Sequence, residues 1–243
     1  MSDHLREPEH LPSREPTQRR LPRQRRGITP QMVGRYPDFD VLAPSIIRHW
    51  DEVTRQTVVS RVKIDPKFRF FSAQEVPTLR SFCDTVTEQT EEPRVPVAEM
   101  IDHKLAEGKL DGFRYATMPD DRETWHTALA GLDWTARERY GRDRYPDLPA
   151  DARRGVIDSL QRGLLTAGPW ERLDPGRTFS VLMRGVVSEF YSHPWAWNEI
   201  GFAGPAYPRG FMRFGELSTQ EPYETPDRVN LDVVRDVEVR GLP

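Results

Sequence analysis

From Asp174-Pro175 onward the apolar residues Phe179, Leu182, Met183, Val186, Val187 and Phe190 recur at i, i+3, i+4, i+7, i+8 and i+11. Only an α-helix gathers those positions onto one face, and a stripe that wide must be buried against other elements. The same period recurs upstream. In HWDEVTRQTVVSRV (49–62), Trp50, Val53, Thr57, Val58 and Val62 share a helical face. SAQE (72–75) has the form of a capping box, with Ser72 and Glu75 each placed to satisfy the other's backbone N–H. It precedes a stripe of Leu79, Phe82, Cys83 and Val86. VAEMIDHKLAEG (97–108) lines up Val97, Met100, Ile101 and Leu105 and stops at Gly108. Asp120 or Asp121 caps a helix carrying Trp125, Leu129, Leu132 and Tyr140, and the stretch 149–163 turns Val156, Ile157 and Leu160 inward. The expected fold is all-α: a single irregular helical domain of about six helices over 28–191, with an extended arm on each side.

The arms have different chemistry. Residues 1–27 are Arg, Glu and Pro with almost no apolar content, and cannot bury enough surface to offset their ordering entropy. They are expected to be disordered or ordered by a partner. Residues 192–243 are read as a non-helical arm rich in aromatics, Pro and Gly, followed by an extended C-terminus. Within it VNLDVVRDVEVRGL (229–242) alternates apolar and polar residues like one strand or an extended arm.

Charge and cysteine content narrow the function classes. A formal net charge of −3 gives no basic excess of the sort that marks a nucleic-acid binder. The single cysteine, Cys83, has no partner for an internal disulfide and sits on an apolar stripe, as a small buried hydrophobe would. No run approaches the roughly 18 apolar residues of a membrane span, so no membrane insertion is expected. Arg19-Arg20 and Arg25-Arg26 invite a twin-arginine export reading. The stretch that follows, GITPQMVGRYPDFD, is broken by Pro30, Arg35, Pro37 and Asp38 and is no apolar signal core. The expected location is cytoplasmic, and periplasmic or extracellular only if a partner carries the signal.

Catalytic constellations are sparse. The six histidines form no HExxH, no HxH and no pairing with cysteine, and no Gly-rich phosphate cradle follows a strand. No metal ligands and no cofactor-binding residues are assigned to this chain. Glu189, His193, Asn198 and Glu199 lie close together in sequence. An acid–base pair of His193 and Glu199 would make the chain a self-contained enzyme. Alternatively these groups satisfy backbone donors and acceptors of an irregular segment.

That segment is FYSHPWAWNEIGFAGPAYPRGF (190–211). Pro194, Pro205 and Pro208 argue against a continuous helix or a central strand. Trp195, Trp197, Phe202, Tyr207 and Phe211 each carry about 150–250 Å² of surface to bury. Such a segment either folds over its own core or presses into another protein. Arg209 and Arg213 beside the aromatics match the composition of interfaces.

SHPWAWNEIGFAGPAYPRGF resembles the signature of the gluconate 2-dehydrogenase subunit 3 family. The resemblance extends to FDVLAPSIIRHWDEVTRQTVVSRV (39–62), FFSAQEVPTLRSFCD (70–84) and the stretch 95–133. It implies a non-catalytic accessory subunit in a hetero-oligomer. FAD and the substrate chemistry would lie in a large partner subunit similar to glucose–methanol–choline oxidoreductases. The small subunit would support that partner's folding, maturation and stability, in a chaperone-like role. On this reading Trp195, Trp197, Asn198, Glu199, Phe202, Tyr207, Arg209 and Phe211 are the expected partner contacts, with Asn198 and Glu199 organising the loop. Some relatives carry a twin-arginine signal, a pattern from which this chain departs. A scaffold for an unrelated partner is the remaining alternative.

Overall fold

The computed structural model describes residues 40–89, 94–109, 112, 114–200 and 202–207, without the side chains of Ser45 and Glu199. Every regular element among them is helical. In chain order these are α1 (Pro44–Ile47), α2 (Glu52–Val62), α3 (Val76–Thr87), α4 (Val97–Ala106), α5 (Asp121–Tyr140), α6 (Ala150–Gln161), α7 (Pro175–Ser192) and α8 (Pro194–Ile200). Short 3-10 turns occupy Tyr145–Asp147 and Gly168–Arg172. The all-α expectation holds, and α2 to α7 are the six helices read from periodicity. The tail 1–27 and the strand-like stretch 229–242 lie outside the described residues.

Local chemistry sets the helix ends. The Asp51 side chain accepts from the Thr54 N–H at 2.8 Å and opens α2. The Ser72–Glu75 box is reciprocal. The Ser72 N–H donates to Glu75 Oε2 at 2.9 Å, and the Glu75 N–H donates to Ser72 Oγ at 3.3 Å. Asp120 accepts from the Glu123 N–H at 2.9 Å and opens α5. At the other end of α5, Gly141 takes a left-handed φ of 61°, as helix C-caps favour.

Three expectations need correction. The segment from 192 was read as non-helical, yet Pro194–Ile200 form α8. Pro194 stands at the first helical position, where a missing N–H costs no intrahelical bond and a fixed φ fits the helix. On α2, Val58 and Val62 are buried while Val53 is 70% exposed, because the helix starts after Trp50 and its phase is set by Val58 and Val62. On α7 the buried set is Thr178, Val181, Leu182, Val186 and Phe190, and Val187 is exposed. The tertiary neighbours rotate that stripe away from the one apolarity alone suggests.

The described residues separate into two compact units: residues 40–63 with those from 191 on, and Ile64–Phe190. In the second unit Leu79, Phe82, Cys83, Leu129, Leu132, Val156, Leu160 and Leu182 are sealed from solvent. The buried Asp102 carboxylate on α4 accepts the N–H groups of Arg69, Phe70 and Phe71 at 2.7, 3.0 and 2.8 Å, fixing the approach to α3. Glycines make room for indoles. A Cβ on Gly131 would lie 2.5 Å from Trp170, one on Gly168 2.6 Å from Trp134, and one on Gly185 2.8 Å from Trp125. Each indole approaches a bare backbone more closely than a methyl group would allow.

Candidate functional site

The first unit is built around the aromatic segment. Val41, Leu42, Ile46, Ile47, Trp50, Val58, Val62, Trp197 and Ala203 form its buried core. Removing an indole such as Trp50 or Trp197 from water contributes about 4–6 kcal/mol before ordering entropy is subtracted. Gly204 has a left-handed φ of 81°, and a Cβ there would stand 2.5 Å from the Trp50 ring. Only glycine meets both conditions.

Polar groups lock the segment onto this core. Asn198 Oδ1 accepts the Val41 N–H at 2.8 Å, and Asn198 Nδ2 donates to Asp40 Oδ1 at 3.3 Å. The Trp197 indole N–H donates to the Tyr191 carbonyl at 2.6 Å. Arg61 on α2 donates to the Ser192 carbonyl at 3.2 Å, and its guanidinium lies 5.9 Å from the Trp197 ring centroid. A cation at the C-terminal end of α7 also matches the helix dipole. The Phe202 N–H returns to the Trp197 carbonyl at 2.9 Å and closes the last turn of α8. The two rings meet edge to face at 5.4 Å.

His193 is sealed from solvent. Its Nδ1 accepts the Trp195 N–H at 3.2 Å, which leaves the proton of a neutral ring on Nε2. Its ring stands edge to face with Trp195 at 4.9 Å. Through Nδ1 the ring thus holds the start of α8. The side chain of Glu199, its expected acid–base partner, lies outside the described residues. Glu189 belongs to the second unit, where it faces Lys104 at 3.6 Å.

The expected contact residues therefore separate by exposure. Trp195, Trp197 and Asn198 are buried, whereas Phe202 and Tyr207 are exposed. Tyr191 and Ile200, which sequence reasoning passed over, join the exposed set. Arg209 and Phe211 lie outside the described residues. Sequence reasoning also missed Asp40, Val41, Trp50 and Arg61 as the frame that holds the segment. Nothing local in the sequence links Val41 to a residue 157 positions away.

His126 on α5 meets Glu75 through Nδ1 at 2.5 Å and stacks against Phe70 at 4.6 Å. Burial pushes the Glu75 carboxyl up, but the bonds from His126 and Ser72 outweigh it and hold the group below its ordinary range. Among the described residues no three His, Cys, Asp or Glu side chains converge as a metal site. No helix among them is long and apolar enough to cross a membrane.

The sequence model of the family described as gluconate 2-dehydrogenase subunit 3 matches residues 73–204. The matched span runs from the residue after Ser72, ahead of α3, through α8 to Gly204, and so includes His193, Trp195, Trp197 and Asn198. Neither a curated protein nor a solved structure matches the chain.

Proposed function

The chain belongs to the gluconate 2-dehydrogenase subunit 3 family, and from that premise we propose that it is the non-catalytic small subunit of an FAD-dependent sugar or alcohol oxidoreductase. It binds a large subunit of the glucose–methanol–choline type, which carries the flavin and the substrate site. Binding favours the folded, flavin-loaded state of that subunit by mass action and so supports its maturation. The proposed location of the complex is the cytoplasm. The family match is the observation that carries this reading. The geometry of the first unit supports it: the histidine expected of a self-contained enzyme is enclosed and hydrogen-bonded to backbone, while Phe202 and Tyr207 are exposed.

The test is a tagged chain purified from its native cell and read by mass and by visible absorbance. The expected result is a larger flavoprotein retained with the chain. A colourless chain recovered alone, or one that oxidises sugars or alcohols unaided, overturns the proposal.

A further inference from the structure

Building on the subunit reading, we infer that the docking face for the large flavoprotein subunit is the exposed apolar set Tyr191, Ile200, Phe202 and Tyr207. These side chains are 47%, 51%, 43% and 66% exposed, all within the first unit. Single exposed apolar residues are ordinary on a protein surface. Here four of them fall within one short stretch, and two are tied to the same buried indole. Trp197 holds the Tyr191 carbonyl through its N–H, touches the Phe202 ring at 5.4 Å and accepts the Phe202 N–H. Asn198 in turn bonds Val41 and Asp40. The Phe202 ring and the Tyr191 backbone are therefore held in place, which lowers the ordering cost of association at these two positions. Three of the four are aromatic, and tyrosine is enriched among residues that dominate binding energy. Four side chains are a small part of an interface that normally covers about 800 Å² per partner.

Two observations point to another chain as the occupant. The family is described as a subunit of a dehydrogenase. The two ends of the chain also begin here: residues 208–243 continue directly from Tyr207, and residues 1–39 lead into Asp40, which Asn198 bonds.

The experiment titrates the captured flavoprotein with the full chain, as wild type and as the double variant Phe202→Ser, Tyr207→Ser. An unchanged thermal midpoint serves as the folding control. The inference expects the variant to bind at least about tenfold more weakly. Binding as tight as wild type overturns the docking face while leaving the subunit reading intact. A wild-type chain that binds no flavoprotein overturns both. Light scattering on the chain alone supplies the last arm: a dimer that these substitutions dissociate assigns the face to a second copy and overturns the inference, and a monomer in both forms supports it.

Discussion

Asn198 Oδ1 accepts the backbone N–H of Val41 at 2.8 Å, across 157 positions of chain. Both groups are buried, and the bond ties the start of the described chain to the helix α8 that carries the tryptophans. Asn198→Ala leaves a buried N–H without its acceptor, at a cost of about 1–3 kcal/mol. Asn198→Asp keeps an acceptor but sets a second carboxylate beside Asp40, so its loss of stability should grow as pH rises above the carboxylate range. Urea titrations of both variants at several pH values measure this. Wild-type stability in Asn198→Ala contradicts it.

The same kind of substitution has opposite signs at two helix glycines. A Cβ on Gly131 collides with the buried Trp170 ring, whose indole N–H is already committed to Thr135 Oγ1 at 2.9 Å. Gly131→Ala should therefore destabilise by about 1–3 kcal/mol. At Gly155 the nearest atom to a new Cβ is the Tyr140 hydroxyl at 3.6 Å, an ordinary contact. Gly155→Ala, in the interior of α6, should stabilise by about 0.5–1 kcal/mol. Parallel thermal melts decide the pair.

These contrasts separate what was legible in the sequence from what was not. Helix starts were readable at the Ser72–Glu75 box and at Asp120 or Asp121, because each depends on residues within one turn, whereas the Asp51 cap of α2 was not singled out. The inward faces of α4 and α6 were readable for the same reason. Which side of α2 or α7 turns inward was only half legible, because neighbouring elements set it: Val53 and Val187 fit the apolar period and yet face solvent. Pro194 was misread as a breaker because a proline that starts a helix and one that interrupts a helix look alike in sequence. The frame of the aromatic segment was invisible. Pairing Asn198 with Val41, or Gly204 with Trp50, requires the fold to exist first.

Glu75 gives the protein a defined acid sensitivity. Burial raises its carboxyl, but the His126 and Ser72 hydrogen bonds prevail and hold it below the ordinary glutamate value of 4.5. A depressed carboxyl stabilises the fold above its unfolded-state value, and that contribution is lost as pH falls through the folded-state value. Glu75→Gln should thus flatten the acid limb of the stability–pH curve. Denaturant midpoints measured from neutral pH to below 4.5 test this, and a variant curve parallel to wild type contradicts it.

Cys83 should be chemically silent in the folded protein. Burial, reinforced by the charges of Asp84 and Glu99, pushes its thiol well above the usual value, and the side chain is closed to solvent. The thiolate is the reactive form. Alkylation at neutral pH should therefore follow the rate of unfolding, with fast labelling only in denaturant. Rapid labelling of the native chain would show that α3 opens locally.

The most direct test of the central claim compares the large flavoprotein expressed with and without this chain, measuring bound flavin per large subunit and its thermal midpoint. If the chain acts by binding and stabilising a catalytic partner, co-expression raises both, and the rise is smaller with the Phe202→Ser, Tyr207→Ser double variant. Equal flavin content and an equal midpoint with and without the chain would contradict that claim.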